Sequence, residues 1–387
     1  MRKSNKARVS DRRSTPQGLA LAVFALSAVS ANASDNAYYQ PRTDWQRPTS
    51  GNLNISQFVF RDVNRNGVYD LGDRPMSGIA VTVTGAGRVR TQYSNLSGFA
   101  NFLMSATDAA KDVVFAGSYI FETQLPPGWT SSTGNSTQTI DFELRAGSPA
   151  GLIALSPPQL VGIMPPLSIA GPASGARVTA TGPDGAGVEP QSSADGQFAL
   201  STASGPWLIH YTWPNGDTRT RTVEVVNTPV RLSEASPGAG APYEARRVTF
   251  DDLISEGIIK VPSGYGGLQW DNFVGTHQKF YDPSGYRNAV MSGEFVAYNG
   301  SGHPAAIFSD RPFTFEGGYF AGASFEAEGE TLSIKAWRGD TLAYEEQFSL
   351  SALGPVHFVA DYRDITRIDF ETAHYWQFVC DDLTFSQ

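Results

Sequence analysis

Short segments in which apolar and polar residues alternate recur along the chain, separated by clusters of turn residues. Segments 79–84, 331–337 and 343–350 are examples of this alternation. A period of two buries one face of a β-strand and exposes the other. Glycine and proline account for 39 and 24 residues, and no long segment has the period of a helix. The sequence therefore predicts an all-β protein.

At 387 residues the chain is long enough for two or three domains of ordinary size. The proline pairs at 157–158 and 165–166 predict a stiff connection, and the small, polar segment 234–242 predicts a linker. The predicted domains span 51–150, 167–232 and 246–387.

Residues 1–33 have the pattern of a signal peptide. Six basic residues precede an apolar core at 19–29, which is followed by an Ala-Asn-Ala cleavage site at 31–33. An uncleaved anchor is the alternative. Residues 34–50 are polar and predict a flexible lead. We expect an exported protein, secreted or at the cell surface, with no membrane insertion after cleavage.

Charge and cysteine content narrow the set of partners. The chain has 29 basic and 38 acidic residues, of which residues 1–33 hold 6 and 1, so the mature chain has 23 and 37, a net charge of −14. Such a surface repels nucleic acid and anionic membranes. Cys380 is the only cysteine, which excludes an internal disulfide, and its apolar neighbours predict a buried thiol.

The segment 62–73 has the spacing of a calcium loop. Oxygen-bearing side chains occupy loop positions 1, 3, 5, 9 and 12, and Gly67 occupies position 6, where a sharp bend is needed. Ca²⁺ needs six or more oxygen ligands, which alternate residues of a tight loop can supply. The predicted ligands are Asp62, Asn64, Asn66, the carbonyl of Val68, Asp70 and Asp73.

Two features of this loop depart from the common pattern. Position 12 is Asp73 rather than the longer glutamate, and the flanking segments do not look helical. A polar turn without metal is the alternative, because Asn-Gly and Gly-Asp are ordinary turn sequences.

The order of motifs in the first domain resembles the B-type repeats of bacterial serine-aspartate-repeat surface adhesins. The shared motifs are aromatic-x-Asp-x-Asn-x-Asn-Gly, Asp-x-Gly-Asp, Gly-Ile-x-Val, Ser-Gly-Phe-x-x-Phe and Gly-Ser-Tyr. The resemblance implies a prealbumin-like β-sandwich, and it assigns calcium-ligand roles to Asp62, Asn64, Asn66, Asp70 and Asp73. Those adhesins carry tandem copies, whereas this chain has one clear copy.

The second domain has alternating runs at 176–181, 196–200 and 207–211. It is similar to the prealbumin-like or Ig-like domains appended to many secreted proteins, and we interpret it as a spacer. His210 is predicted to be a strand residue, since no second histidine or cysteine lies nearby in the sequence.

The third domain begins and ends with strong strand patterns, at 248–253 and 378–385, which predicts a sandwich whose terminal strands are adjacent. Its Phe-Asp-Asp-Leu, Gly-Tyr-Gly-Gly-Leu-x-Trp, Tyr-Asn-Gly and Asp-Asp-Leu-Thr-Phe motifs resemble those of secreted carbohydrate-binding jelly rolls. The resemblance implies a C-terminal jelly-roll fold and a glycan or matrix component as partner.

Sugar sites stack aromatic rings on pyranose faces and add a few polar groups. The predicted carbohydrate-binding residues are Tyr265, Trp270, Tyr298 and Asn299, with core packing as the alternative for each ring. Trp337 and Trp376 lie in strand patterns and are predicted to be core residues.

No nucleophile elbow, His-Glu-x-x-His motif or phosphate loop is present in the sequence. We therefore expect a non-enzymatic, calcium-binding protein that adheres to extracellular glycan or matrix. The alternatives are a structural component of a matrix or surface layer and, third, a glycoside-active enzyme.

Overall fold

The computed structural model describes residues 53–387, apart from 149, 235–244, 254, 256, 282 and 283. The predicted signal peptide (1–33) and flexible lead (34–50) lie outside the described residues. The described part is built from β-strands around three main hydrophobic cores, which confirms the all-β prediction. Within it, no helix combines the length and the apolar character needed to cross a membrane.

The first sandwich packs two sheets around a shared core. One sheet has the order β2-β1-β10-β7, with β5 also paired to β1, and the other has the order β4-β3-β6-β8-β9. Alternation along β5 and β6 buries Phe102 and Phe121 between the sheets, with ring centroids 5.5 Å apart. The strands are β1 (Leu53–Arg61), β2 (Arg74–Pro75), β3 (Ala80–Gly85), β4 (Arg88–Tyr93), β5 (Phe99–Met104), β6 (Gly117–Thr123), β7 (Thr130–Ser131), β8 (Thr137–Leu144), β9 (Leu152–Ala154) and β10 (Val161–Met164).

The first sandwich continues past the predicted boundary at residue 150. Strand β10 pairs in parallel with β1, placing Val161 opposite Val59, and Val161 and Ile163 are fully buried. The interpretation of the whole segment between the proline pairs as a stiff connection is therefore wrong. The prolines lie outside the strand, so they leave its ladder hydrogen bonds intact, and the apolar residues between them complete the core.

The second sandwich has two short sheets, with the orders β13-β12-β16-β17 and β14-β15-β11-β18. Alternation along β16 buries Trp207, Ile209 and Tyr211 in its core. The strands are β11 (Ser168–Pro172), β12 (Arg177–Thr181), β13 (Gly187–Val188), β14 (Gln191–Ser192), β15 (Gln197–Ser201), β16 (Gly205–Thr212), β17 (Thr218–Val225) and β18 (Val230–Leu232).

The third sandwich is the C-terminal jelly roll. Its strands are β19 (Arg246–Val248), β20 (Ile258–Lys260), β21 (Gln269–Asp271), β22 (Phe273–His277), β23 (Phe295–Asn299), β24 (Ala305–Gly322), β25 (Thr331–Arg338), β26 (Thr341–Ser349), β27 (Val356–Thr372) and β28 (Phe378–Ser386). A short helix, Gly285–Asn288, and 3-10 turns at Tyr265–Gly267, Gln278–Phe280, Gly300–Gly302 and Phe325–Ala327 connect them.

Two long strands, β24 and β27, organise the jelly roll and pair with each other over most of their length. The first and last strands, β19 and β28, are adjacent, as predicted, with Val248 opposite Leu383. The segments 356–360 and 365–371 form the single strand β27 rather than two strands, because Asp364, with φ at 53°, produces an irregularity without ending the strand. Cys380 on β28 is buried, as predicted.

The second and third sandwiches share backbone hydrogen bonds. Strand β18 pairs in parallel with β27, so one sheet runs through both sandwiches. Buried Arg221 of β17 strengthens the junction by donating to Ser233 O (2.9 Å) and Val359 O (3.0 Å). The second sandwich is thus joined directly to the jelly roll, which its interpretation as a spacer did not anticipate.

A buried carboxyl group holds the segment that precedes β23. Asp381 of β28 is completely buried, and its Oδ2 accepts from the backbone N–H groups of Met291 (2.7 Å) and Ser292 (3.1 Å). Burial and the neighbouring Asp382 raise the pKa of Asp381 from its ordinary 3.8 to about 8, although these N–H groups oppose the rise. The jelly roll therefore holds a carboxyl group that favours its neutral form.

This group makes stability depend on pH. Because the pKa of Asp381 is higher in the folded chain than in the unfolded chain, its contribution is most favourable below about pH 4 and is lost as pH rises toward 8. The loss approaches about 1.4 kcal/mol per pH unit within that interval. We expect Asp381→Asn to remove most of this loss, measured by urea unfolding at pH 5 and pH 8 in EDTA.

The control is Asp184→Asn, in an exposed turn of the second sandwich, which should leave the pH dependence of the wild type unchanged. Parallel pH profiles for wild type and Asp381→Asn would contradict the prediction.

Candidate functional site

The 62–73 loop begins where β1 ends and folds around the carboxylate of Asp62. This residue is 1% exposed, and its Oδ2 and Oδ1 accept from the N–H groups of Gly67 (2.7 Å) and Asn66 (3.2 Å). Gly67 has φ at 75°, and a Cβ there would lie 3.1 Å from the carbonyl oxygen of Ser132. The bend predicted at loop position 6 is therefore present, and glycine suits it.

The remaining predicted side-chain ligands meet around Asp70 and Asp73. The amides of Asn64 and Asn66 donate to Asp70 Oδ1 (2.9 Å) and Oδ2 (2.7 Å). Asp73 Oδ1 accepts from Val63 N (2.9 Å), and its Oδ2 accepts from Asp70 N (3.0 Å). The structure thus gathers the five predicted side chains into one hydrogen-bonded loop.

One aromatic residue anchors the loop to the first sandwich. The ring of Tyr69 lies 5.0 Å from Phe58 and 5.1 Å from Phe60, both with edge-to-face geometry. Val68, the predicted carbonyl ligand, donates its N–H to Asn66 Oδ1 (2.7 Å). The loop is therefore held at both its turn and its aromatic residue.

The acidic side chains of the loop repel one another. Burial raises the pKa of Asp73, and the carboxylates of Asp62 and Asp70 add to the rise, while N–H groups of Asp70 and Val63 oppose it. Arg65, the cation inside the loop, donates from its guanidinium to Pro165 O (2.6 Å). A positive charge placed among these carboxylates would relieve the repulsion.

The donor set matches the chemistry of a hard divalent cation. Carboxylate, amide and backbone oxygens are the ligands that Ca²⁺ takes. Within the described ranges, no group of three or more His, Cys, Asp or Glu side chains is placed to hold a metal ion. A metal here therefore depends on the amide oxygens of Asn64 and Asn66, which accept from Asn66 N (3.1 Å) and Val68 N (2.7 Å) and each have a second lone pair.

Arginines in and around the loop connect it to the rest of the chain. Each donates to a backbone carbonyl outside the first sandwich, in the second sandwich, the jelly roll or the segment before β11. The bonds are Arg61 Nη2 to Asn227 O (2.6 Å), Arg65 Nη2 to Pro165 O (2.6 Å) and Arg74 Nη1 to Val290 O (2.6 Å). Burial, with the nearby Arg74 and Arg65, lowers the pKa of Arg61 to about 10.

Three of the four predicted carbohydrate-binding residues are buried. Trp270 and Tyr298 are 5% and 6% exposed, Asn299 is fully buried, and Tyr265 packs half-buried against the jelly-roll core. The prediction that they form an exposed sugar surface is wrong. The backbone carbonyl of Tyr265 accepts from Trp270 Nε1 (2.7 Å), which orients the indole, and the Tyr265 hydroxyl donates to Asp252 Oδ1 (2.6 Å).

Asn299 instead organises two turns at one end of the jelly roll. Its Nδ2 donates to His303 O (2.9 Å), and its Oδ1 accepts from Phe378 N (2.8 Å). Asn272, with φ at 56°, also donates to His303 O (3.0 Å). The amides thus fix the 300–304 turn against the turn between β27 and β28.

The two tryptophans predicted to be core residues lie elsewhere. Trp337 is only partly buried, and its Nε1 donates to Asp369 Oδ2 (2.7 Å). Trp376 is 39% exposed and follows Tyr375, which is 62% exposed, in the turn after β27. Apart from the adjacency of the two aromatics, the sequence carried no signal for this turn, since it contains neither glycine nor proline.

Comparisons with known proteins give a weak sequence match. No family model matches the chain. A serine-aspartate repeat-containing protein F from Staphylococcus epidermidis is 26% identical over 123 residues, which are 31% of this chain and 6% of that protein. The similarity agrees with the resemblance seen in the motifs, and the chain spans only a small fraction of that relative.

Solved structures give distant matches. The Bacillus anthracis TIE protein has a TM-score of 0.21 and 10% identity, over 81% of this chain and 51% of that one. The module TmCBM61, solved in complex with β-1,4-galactotriose, has a TM-score of 0.20 and 10% identity, over 33% of this chain and 97% of that one. Values this low establish neither a shared fold nor a shared function.

Removal of the buried amide tests its organising role. We expect Asn299→Ala to lower the free energy of unfolding by about 1–3 kcal/mol, because the N–H of Phe378 loses its acceptor in a buried place. Thermal and urea unfolding measure the change. Asn215→Ala, in an exposed turn of the second sandwich, is the matched control and should change stability by less than about 0.5 kcal/mol; equal losses in the two variants would contradict the assignment.

Proposed function

We propose that this chain is an exported, non-enzymatic protein that is stabilised by Ca²⁺ in the 62–73 loop and binds extracellular glycan or matrix through its jelly roll. The observation that carries the calcium part is that one short loop contains Asp62, Asp70, Asp73 and two asparagine amides and is closed by hydrogen bonds of these side chains. The weak similarity to a staphylococcal serine-aspartate repeat protein supports a surface role.

The loop residues have distinct roles in this proposal. Asp62, Asn64, Asn66, Asp70 and Asp73, with the carbonyl of Val68, would hold the ion. Bound Ca²⁺ supplies positive charge that offsets the repulsion among the three carboxylates. The N–H groups of Asn66 and Gly67 keep the carboxylate of Asp62 oriented, and those of Val63 and Asp70 do the same for Asp73.

The position of the loop favours a permanent structural ion over a switch. Arg65 within the loop and Arg61 and Arg74 beside it all bond to carbonyls outside the first sandwich. An ordered loop holds these arginines in place, so the ion would stabilise the junctions as well as the loop. Millimolar extracellular calcium would keep a site of this class filled.

The binding role of the jelly roll rests on its sequence resemblance to carbohydrate-binding modules and on the acidic surface of the chain. The net charge predicted for the mature chain disfavours nucleic acid and anionic membranes as partners. The competing function is a structural component of a matrix or surface layer, which would need no discrete sugar site.

Calcium should stabilise the full chain. We expect a rise in melting temperature on adding Ca²⁺ to EDTA-treated protein, because an ion that binds only the folded state adds about 2.7 kcal/mol at a hundredfold excess over Kd. Asp70→Ala should abolish the rise. Asp70 is exposed, and both of its carboxylate oxygens accept only from side-chain amides of the loop, so this variant should still fold.

Asp184→Ala removes an exposed aspartate from a turn of the second sandwich and should leave the calcium response intact. An identical melt in EDTA and in millimolar Ca²⁺ would rule out the site.

Glycan binding should be detectable on an array of polysaccharides and oligosaccharides. We expect the full chain to bind at least one glycan in the presence of Ca²⁺, and binding to persist in EDTA at temperatures well below the melt, since the 62–73 loop lies outside the jelly roll. Failure to bind any glycan would favour the structural-component function, and hydrolysis of a bound glycan would favour an enzyme.

A further inference from the structure

One end of the jelly roll presents an exposed group of rings that the core does not use. We define the aromatic rim as His303, Tyr375 and Trp376. The centroids of His303 and Tyr375 lie 5.9 Å apart in an edge-to-face arrangement, and His303 is exposed. Tyr375 and Trp376 retain 62% and 39% of their accessible surface.

The backbone beneath the aromatic rim is built to hold these rings in place. The amides of Asn299 and Asn272 fix the 300–304 turn. A Cβ on Gly302 would lie 1.7 Å from Tyr375 O, so the two turns touch through a contact that glycine alone permits. Thr372 Oγ1 also donates to Trp376 O (2.6 Å).

The conformation of the rim is unfavourable for the isolated chain. Tyr375 has φ at 60° and Ser301 has φ at 56°, a left-handed region that bulky side chains rarely adopt. The strained tyrosine does not bury its ring in return, because 62% of its surface stays exposed. Strain held by surrounding structure at an exposed aromatic is a feature of binding sites.

We propose that the aromatic rim is the glycan-binding site of the jelly roll and that it takes an uncharged pyranose. The rings of Tyr375 and Trp376 offer apolar faces for the C–H groups of a sugar, and the imidazole of His303 offers a hydrogen bond to a hydroxyl group. This inference rests on the proposed glycan-binding function and locates it on residues other than the four predicted from the sequence.

The charges around the rim set the class of sugar. Segments 271–272, 299–304 and 371–378 contain no lysine or arginine. Asp271 and Glu371, at the margins of the turns, are exposed carboxylates. His374 in the same turn is exposed, and its Nδ1 lies 3.2 Å from Oε1 of the buried Glu330. Uronic and sialic acids would be repelled, whereas neutral hexoses would not.

The experiment compares variants on the glycan to which the wild type binds best on the array. We expect Trp376→Ala and Tyr375→Ala each to weaken that binding about tenfold by calorimetry, as is usual when an aromatic anchor is removed. Trp376→Phe retains a ring and should lose less than Trp376→Ala. Tyr93→Ala removes a ring that is 65% exposed on the first sandwich, and it should bind like the wild type.

Each outcome decides between the inferences. Wild-type affinity in both alanine variants, with melting temperatures unchanged, would overturn the aromatic rim as the site but leave glycan binding standing. Absence of any glycan ligand for the wild type would overturn both. A preference for uronate or sialylated glycans would overturn the assigned sugar class. Tyr375→Ala decides the question if Trp376→Ala fails to fold.

Discussion

Arginine side chains that are buried or partly buried and donate to backbone carbonyls join the separate cores of this protein. Arg221 bridges the second sandwich and the jelly roll, while Arg61 and Arg74 connect the first sandwich to the other two. Burying a guanidinium is costly unless its donors are satisfied. Carbonyls of neighbouring sandwiches supply the acceptors. Separating the sandwiches would therefore leave the guanidinium groups without these acceptors. The arrangement favours one joined body over a string of independent domains.

The 62–73 loop lies among the arginines that bond the first sandwich to the rest of the chain. Arg61 precedes the loop, Arg65 lies within it and Arg74 follows it, so the backbone of the loop sets the spacing of the three arginines. Burial raises the pKa of Asp73, and the nearby carboxylates of Asp62 and Asp70 add a smaller rise. A loop that joins the sandwiches and also stores repulsion gains most from a cation that stays bound. This explains in physical terms why a single loop can matter to a chain of three cores.

Local sequence patterns predicted many of the strands, whereas the pairing between sandwiches depends on long-range contacts that these patterns do not show. Alternation of apolar and polar residues predicted strands such as β25 and β26, because successive side chains of a strand lie on opposite faces. The pairing of β18 with β27 could not be predicted from a side-chain pattern, since it uses backbone N–H and C=O groups that nearly every residue has. Strand β10 was missed because the prolines on either side dominated the local pattern, although they do not interrupt its ladder. The spacing of the 62–73 loop brought its side chains together because loop ligands lie close in sequence.

The burial of individual aromatic residues could not be predicted from the local sequence. Neither glycine neighbours nor strand patterns determine whether a ring faces inward. Trp270 and Tyr298 are buried, whereas Trp376 is 39% exposed. Asn299, chosen from the sequence for its amide, does lie at the relevant end of the jelly roll, but it supports the turns rather than contacting solvent. A buried amide that holds exposed rings in a strained turn has one physical consequence: the rings are ordered before a ligand arrives. A preorganised surface loses less conformational entropy on binding, so the left-handed conformations of Tyr375 and Ser301, which cost the free chain stability, would favour binding of a ligand.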